Sequence, residues 1–554
     1  MRKIELRRSP YGKGVFQTHF KIFNTIFISI VLFIQCKNDS TTNAAKHVFH
    51  YNQINQVTSL DPVFARTQAN MWVIDHLYNG LVYLDDSLNV IPCLAKQWSI
   101  SKDGLDYTFH LNNNVYFHDN PCFTQGKGRK MTAVDVVYSF NRIMDTTVNS
   151  PGSWIFKGHI RQNNPFEAKD DTTFILHLEK PFRPMLGILT MQYCCVVPHE
   201  ALDFYKKDFR KNPVGTGAFR FKKWLENQGL FLLKNENYWE RDSVGTPLPY
   251  LDGVRISFMP DRKTAYLEMM RGKLDYMVGI ESSIVNELLT QDGELQPKQL
   301  GKLQLIKTPY LNSEYLGFNL IFDGKTPPQS FKKVRQALNY GFDRELMLRT
   351  LRNSMGKPAS SGFAPPGLPS FDAHTEGYHF NPEKARRLLA EAGFPNGKGL
   401  PPIQLVLNKE YLDLCTFIAR QWEELGVKTT LDVMETATMR ERMMQGTAPF
   451  FRGSWIADYP DAESFYAVFY SKNPAPPNYT RFKNAEFDRL YELALAENED
   501  AKRYALYHEM DKVLIEEAPV VFLFYDESSR FARQNIKGLS RNAMNLLPLK
   551  NVKK

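Results

Sequence analysis

Residues 381–394 read NPEKARRLLAEAGF, and the apolar run IQLVL follows at 403–407. The opening Asn-Pro pair suits a helix cap and first turn, and the late glycine is typical of a helix end. The run IQLVL predicts a strand, residues 411–425 predict a helix, and 427–434 (VKTTLDVM) predict a second strand. Elsewhere, residues 104–117 alternate apolar and polar around an Asn-rich turn and predict a hairpin. Strand, helix and strand in succession are typical of a βαβ unit, so the sequence predicts an α/β fold.

Composition and charge exclude several classes of protein. The chain has 554 residues, too many for one compact domain, and a formal net charge of +9. Residues 1–35 hold six basic residues and one acidic residue, so the rest carries only +4 and shows no basic surface for nucleic acid. The GxSxG, HExxH, P-loop and GxGxxG motifs are absent. The sequence therefore predicts no enzyme class, no metal site and no cofactor.

The amino-terminal residues are typical of an export signal. A basic stretch precedes the apolar run IFNTIFISIVLFI at 22–34, which is shorter than the roughly 20 residues needed to span a bilayer. Cys36 ends the run and resembles the lipid-modified first residue of a bacterial lipoprotein, although Gln35 stands where a small residue is usual. A leader with an incidental cysteine is the alternative interpretation. Export through this leader would place the remaining chain outside the cytoplasm.

Beyond the leader, short motifs occur in the order typical of one family. They are SLDP (59–62), LYNGLV (77–82), TAVDVVYSFNRIMD (132–145), PVGTGAFRF (213–221), VRQALNYGFDRE (334–345), NPEKARRLLAEAGF (381–394) and SWIADYPDAESF (454–465). With these motifs the chain resembles the family 5 extracellular solute-binding proteins, the peptide- and oligopeptide-binding components of bacterial ABC importers. The resemblance covers nearly the whole chain after the leader.

The resemblance implies a two-lobed periplasmic-binding-protein fold of type II, with three domains and a hinge of two chain crossings. The crossings are expected near 259–261 and 524–526. Hinged lobes of this kind close around a ligand. The implied division is a leader with the lipoprotein cysteine (1–36), a first lobe of domain I (37–75, 191–259 and 525–554) and domain II (76–190), and a second lobe of domain III (260–524).

The resemblance also places a ligand at FRGSWIADYPD, residues 451–461. In oligopeptide-binding relatives, the aspartate of this motif pairs with the α-amine of the ligand, and Asp458 holds that position here. The arginine three residues before the tryptophan, here Arg452, helps to neutralise ligand carboxylates. A turn residue and a structural ion pair are the alternative interpretations of these two side chains. The backbone that pairs with the peptide corresponds to Ser454, Trp455, Ile456 and Ala457.

Three other loops are expected at the ligand. One carries Arg66 and Gln68, and some oligopeptide binders have an acid at the position of Arg66, so the charge preference here differs. The second carries Trp154 as a lid, and the third carries Phe363. Core packing explains both aromatic residues equally well. Oligopeptide-binding relatives present a basic residue around Met443, and Arg442 here is one position off, so the expected carboxylate-binding pattern is incomplete.

The resemblance implies capture of short peptides and their delivery to the permease subunits of an ABC transporter. The expected protein is a monomer, periplasmic or at the cell surface, and held to a bacterial membrane by a lipid on Cys36. In relatives the same scaffold carries nickel complexes, haem, oligosaccharides or cell-wall peptides, so a non-peptide ligand remains the alternative. An exported hydrolase is a further alternative, although no convincing catalytic set occurs in the sequence.

Overall fold

The computed structural model of the protein describes residues 47–280, 284–322 and 330–554. The leader and Cys36 lie outside the described residues. Within the described ranges, no helix is both long enough and apolar enough to cross a membrane.

The described residues alternate between strands and helices along the whole chain. The strands are β1 (Val48–Gln53), β2 (Val82–Leu84), β3 (Val90–Pro92), β4 (Ala95–Ile100), β5 (Asp106–Leu111), β6 (Phe166–Asp170), β7 (Thr173–His177), β8 (Phe219–Leu225), β9 (Gly229–Lys234), β10 (Gly253–Phe258), β11 (Tyr276–Val278), β12 (Leu303–Phe318), β13 (Lys357–Pro358), β14 (Ile403–Asn408), β15 (Thr429–Met434), β16 (Phe450–Ile456) and β17 (Val520–Arg533). The helices are α1 (Gln68–Leu77), α2 (Ala133–Met144), α3 (Met185–Ile188), α4 (His199–Tyr205), α5 (Arg262–Met270), α6 (Val285–Leu288), α7 (Lys332–Tyr340), α8 (Arg344–Arg352), α9 (Pro382–Glu391), α10 (Leu412–Glu423), α11 (Thr436–Gln445), α12 (Glu463–Tyr466), α13 (Ala485–Ala496) and α14 (Asp500–Glu517).

The predicted βαβ unit is present. Strands β14 and β15 pair in parallel, with Ile403 opposite Thr429, and α10 connects them. These two strands lie at one end of an eleven-stranded sheet. Ten of its strands have the order β15-β14-β16-β12-β17-β11-β1-β10-β9-β8, and the eleventh, β13, pairs with β17. The α/β prediction is confirmed.

A separate four-stranded sheet has the order β4-β5-β7-β6 and is antiparallel throughout. The predicted hairpin over residues 104–117 is wrong in its pairing. Strand β5 pairs with the preceding β4, Tyr107 lying opposite Ile100, while Tyr116 bridges to Lys130. Alternation of apolar and polar residues identifies a strand but does not identify its partner. We call this four-stranded sheet, together with strands β11, β1, β10, β9 and β8 of the large sheet, the first lobe. We call strands β15, β14 and β16 of the large sheet, together with the helices around them, the second lobe.

The two lobes are connected by the long strands β12 and β17, of 16 and 14 residues. The two strands pair along most of their length, but the register is interrupted between Pro309 and Ser313. One end of β17 pairs with β11, and the other end lies beside the part of β12 that pairs with β16. Strand β11 follows the expected crossing at 259–261 but still pairs with β1 of the first lobe. The chain then runs along β12 to the part of the sheet that contains β16.

Apolar side chains form separate cores in the two lobes. The first lobe packs around a cluster that includes Phe140, and the second lobe packs on both faces of its sheet, around Phe522 on one face and Trp422 on the other. Burial of such apolar surface is the main source of folding free energy. Some residues join the core of the opposite lobe, because Tyr459 lies in the first cluster while Leu84 and Leu88 lie in the second. The lobes therefore touch each other beside the crossing strands.

Candidate functional site

A cavity of about 690 Å³ lies between the lobes. Its volume falls within the roughly 300–1,000 Å³ that is typical of small-molecule sites. Residues from the first lobe, the crossing strand β12, the end of β16 and the carboxyl-terminal segment form its walls. They are Arg66, Gln68, Met71, Trp72, Pro151, Trp154, Met191, Tyr193, Tyr310, Leu311, Ile456, Ala457, Asp458, Ala543, Met544, Asn545 and Leu546.

The structure brings six of the ten predicted binding residues together at this cavity. The remaining four, described further below, lie in the sheet or core behind it. The six that line the cavity are Arg66, Gln68, Trp154, Ile456, Ala457 and Asp458.

Buried polar contacts fix the first-lobe loop that carries Arg66. The guanidinium of Arg142 donates to both carboxylate oxygens of Asp61, at 2.7 and 2.5 Å. Thr67 caps α1 by accepting from the backbone N–H of Asn70. These contacts on either side of Arg66 hold its backbone in place.

The loop before Trp154 is tied to the same structure. The hydroxyl of Ser150 donates to the backbone carbonyl of Val63 at 2.7 Å. Ser150 is buried, while Trp154 is 40% exposed at the edge of the cavity. The ring of Trp154 lies 6.3 Å, centroid to centroid, from the ring of Tyr459 in the second lobe. Trp154 therefore lies where the two lobes meet over the cavity.

The end of β16 offers an open strand edge. Strand β16 pairs with β12 on one side, and the N–H of Ala457 donates to the carbonyl of Leu311 at 2.9 Å. On its other side, β14 pairs with β16 at Phe451, within the described residues. Because backbone groups alternate in direction along an antiparallel pair, those of Ser454 and Ile456 point away from β12. This edge can accept an extended chain.

Asp458 follows directly after this edge. Its carboxylate has no hydrogen bond or ion pair with any other described residue, whereas its backbone N–H donates to Ser464 at 3.4 Å. The side chain reaches solvent in the cavity, but the walls around it remove much of its hydration. That burial raises the pKa of Asp458 to about 6. An ionised carboxylate at this place gains from any cationic partner.

The two other acids of this loop have partners inside the protein. Asp461 is paired with Arg503 and accepts from the hydroxyl of Tyr507 at 2.8 Å. Glu463 accepts from the hydroxyls of Tyr459 and Tyr491, and burial raises the pKa of its carboxyl to about 7. These contacts hold the loop so that Asp458 faces the cavity.

Arg452, which is predicted to help neutralise ligand carboxylates, does not line the cavity. Arg452 is buried, is paired with Glu314 of β12, and lies with its guanidinium carbon 3.2 Å from the ring centroid of Tyr411. It shares a face of β16 with Ile456 but lies deeper in the sheet, where Glu314 takes its charge. The structural ion pair, the alternative interpretation, describes it correctly.

The structure also places Phe363 away from the cavity. Its ring is 1% exposed and packs 4.6 Å from the ring of Phe469 and 5.4 Å from that of Tyr315. Trp455 is half-buried, and its indole N–H donates to Ser464 at 3.4 Å. Ser454 therefore contributes to the open edge of β16, Trp455 pairs with β12, and Phe363 contributes to the second-lobe core.

Sequence reasoning missed the carboxyl-terminal wall of the cavity. The indole N–H of Trp72 donates to the carbonyl of Asn545 at 2.7 Å. The side-chain oxygen of Asn545 accepts from the buried Arg530 at 2.8 Å. No motif marks this segment. A buried arginine in β17 is the one signal that could have indicated a structured contact near it.

The cavity walls offer few ligands for a bare metal ion. Among the described residues, no group of three or more His, Cys, Asp or Glu side chains could hold an ion. The cavity walls contain no histidine and no cysteine. Three thioethers, two indoles and two phenols dominate the walls instead.

Comparison with known proteins agrees with this geometry. A profile of the bacterial extracellular solute-binding proteins, family 5, matches residues 89–477. The chain belongs to this family. It is therefore a solute-binding protein of the type that serves ABC importers outside the cytoplasm, with the two-lobed fold of that family.

Individual relatives differ in what they bind. The haem-binding protein A of Haemophilus influenzae is 32% identical over 465 residues, covering 80% of each chain. The dipeptide-binding protein of Escherichia coli is 27% identical over 481 residues, covering 83% of this chain and 86% of the relative. Among solved structures, the periplasmic binding protein DppA of Helicobacter pylori, in complex with the peptide STSA, is 26% identical with a TM-score of 0.70, covering 91% and 97%.

Proposed function

We propose that this family 5 protein captures short peptides between its lobes and passes them unchanged to an ABC transporter permease. The observation that carries the proposal is the unpaired carboxylate of Asp458 at the end of an open strand edge. A binder of many peptides must grip what all peptides share. These shared parts are the backbone and the terminal amine.

Strand addition supplies the first of these contacts. Backbone hydrogen bonds to an extended peptide give affinity whatever its side chains are. Ser454 and Ile456 offer the outward N–H and carbonyl groups for this pairing, and Trp455 and Ala457 keep the strand in register with β12. The ligand amine then pairs with Asp458, which fixes where the peptide begins. The dipeptide-binding relative and the peptide-bound DppA of Helicobacter pylori support this choice of ligand.

The test compares free and N-acetylated forms of one peptide. A charge-assisted hydrogen bond contributes about 1.5–3 kcal/mol, so Asp458→Asn should weaken free-amine peptides roughly ten- to a hundredfold in calorimetry. N-acetylation of the peptide should weaken its binding to the native protein by a similar factor. It should not weaken binding to the Asp458→Asn variant any further. Asp413→Asn, which removes an exposed acid from the same lobe, is the control.

Equal affinity for free and acetylated peptides would remove Asp458 from this role. The peptide recovered after binding should be intact by mass spectrometry, since the proposed function includes no chemistry. Hydrolysis that survives purification would favour the exported-hydrolase alternative.

A haem-type ligand is the second candidate, because the cavity walls offer Met71, Met191 and Met544 beside aromatic rings. Thioether sulfurs are known axial ligands of haem iron. The haem-binding relative from Haemophilus influenzae supports the same candidate. Native mass spectrometry of the purified protein separates the two. A ladder of peptide masses supports the first, and a single haem mass with a Soret band that shifts in Met→Leu variants supports the second.

We further propose that the protein is exported as a monomer and anchored by lipid on Cys36. The basic stretch, the apolar run and the cysteine at its end support the export and the lipid anchor. One acyl chain anchors weakly, whereas the several chains of a lipoprotein hold a protein stably. Cys36→Ser should release the protein from membrane fractions, and membrane retention of that variant would contradict the anchor.

The division into domains remains a proposal, with one change to the hinge. We place the first crossing at the register interruption between Pro309 and Ser313, instead of 259–261, because β11 still pairs with β1. The second crossing stays at 524–526 in β17. Small-angle X-ray scattering with and without ligand tests this placement. Rotation of the lobes about residues 309–313 and rotation about residues 259–261 should give closed forms of different overall shape.

A further inference from the structure

The cavity walls contain two charged side chains, Arg66 and Asp458. They have opposite sign and belong to opposite lobes. Burial raises the pKa of the Tyr193 phenol in the same wall, and both charges act on it more weakly, the cation of Arg66 lowering that pKa and the anion of Asp458 raising it. The two charges therefore lie within electrostatic reach of one point in the cavity.

Neither charge is neutralised by the protein. Among the described residues, neither the guanidinium of Arg66 nor the carboxylate of Asp458 forms an ion pair. The buried Arg452 and Arg503 contrast with this by pairing with Glu314 and Asp461, and so does Arg142 through its bidentate contact to Asp61. The loop of Arg66 is nevertheless rigid, held by that same contact. An unpaired cation carried into the cavity by a held loop can meet an anion from outside the protein.

The walls between the two charges are mostly apolar. Met71, Trp72, Met191, Leu311 and Met544 are among them. Such walls favour ligands with apolar or aromatic side chains. The summed charge of the cavity is zero, which favours a ligand that is itself neutral overall.

We propose that Arg66 binds the terminal carboxylate of the ligand, so that the cavity selects short zwitterionic peptides with apolar side chains. This inference rests on the peptide-binding function proposed above. It assigns the carboxylate to the first lobe, whereas the amine pairs with the second. It also supplies a basic group for the ligand in place of Arg442, which is one position off the expected place and pairs with Asp432.

The arrangement makes lobe closure depend on both ends of the ligand. Closing the lobes removes Arg66 and Asp458 from water, and a buried charge without a partner is costly. A ligand with one free amine and one free carboxylate compensates both charges in a single step. A peptide blocked at either end leaves one charge unpaired and opposes closure.

The experiment uses calorimetry on the full chain, with di- and tripeptides of leucine and phenylalanine. Each peptide is supplied as the free acid and as the carboxyl-terminal amide. Amidation should weaken binding to the native protein roughly ten- to a hundredfold, the range of a charge-assisted pair. Arg66→Gln should weaken the free acid by a similar factor and the amide hardly at all. Arg66→Glu should reverse the order, so that the amide binds better than the acid.

Arg220→Gln, an exposed arginine of the same lobe outside the cavity, is the matched control and should keep the native preference. Unchanged thermal midpoints would show that the Arg66 variants fold. If native binding needs the free amine but ignores amidation, this inference is overturned while the proposed function stands. If no peptide binds in any form, the proposed function falls and this inference falls with it.

Discussion

Asp458 and Asp461 lie three residues apart on the loop that follows β16, and their surroundings differ completely. Asp461 is held by Arg503 and Tyr507 inside the second lobe. Asp458 faces the cavity with no partner for its carboxylate among the described residues, and burial raises its pKa. The paired acid fixes the loop, and the unpaired acid is the one that is available to a ligand.

The same difference separates the two arginines that the sequence suggests for the site. Arg452 is buried against Glu314 and Tyr411, whereas Arg66 lies in the cavity wall without an ion pair. The paired charges behind β16 hold the fold together and are not available to a ligand. Unpaired charges at the cavity add nothing to the stability of the empty protein. Arg452 and Asp461 therefore serve the structure, whereas Arg66 and Asp458, residues of the same two types, are available for binding.

The largest expected effect comes from breaking a buried pair. Arg452→Met leaves the carboxylate of Glu314 buried without its cation, and such a loss costs about 3–5 kcal/mol. Arg66→Met removes an exposed side chain with no partner and should change stability by less than about 0.5 kcal/mol. Urea unfolding followed by tryptophan fluorescence measures both.

Peptide affinity should show the opposite order. Arg66→Met should weaken free-acid peptides strongly, while folded Arg452→Met should keep its preference between acid and amide. Similar losses of stability in the two variants would mean that the separation between binding and structural charges is wrong.

The next effect is the pH dependence of binding. The pKa of Asp458 is about 6 in the empty protein, and the peptide amine pairs only with the ionised form. Affinity should therefore be high between about pH 6.5 and 7.5 and fall as the pH drops through 6, becoming about tenfold weaker at pH 5. Above pH 8 the amine loses its proton and affinity falls again.

The neighbouring Glu463 also titrates near this range, at a pKa of about 7, so a variant is needed to assign the effect. In Asp458→Asn the decline between pH 7 and 5 should disappear. A decline that persists in this variant would assign the dependence to Glu463 and its tyrosine partners.

Local signals predicted the elements of the fold well. The Asn-Pro start of α9 and the apolar runs of β14 and β15 are contained within single segments, and the structure has all three. The hairpin at 104–117 failed because strand partners are set by distant contacts. The same distinction applies to the site. Asp458 and strand β16 belong to one continuous motif, so a local signal indicates both.

What the sequence could not supply is which charges neutralise one another. Glu314 lies 138 residues before Arg452, and no local pattern links them. The wall formed by Asn545 depends on its contacts with Trp72 and Arg530, which only the folded chain brings together. Whether a charged side chain is free to pair with a ligand thus depends on its neighbours in the folded protein. A sequence motif shows only which residue type stands at the position.

The smallest expected effect concerns the contact between the lobes. Trp154 lines the cavity and lies 6.3 Å from the ring of Tyr459, so it should cover a bound peptide when the lobes close. Aromatic pairs of this kind contribute about 0.5–1.5 kcal/mol, so Trp154→Ala should weaken peptides roughly two- to tenfold. Trp154→Phe keeps a ring in place and should recover most of the loss. Affinity that is unchanged in Trp154→Ala would make this residue part of the first-lobe wall, because a lid that contributes nothing to the closed state has no contact with the ligand.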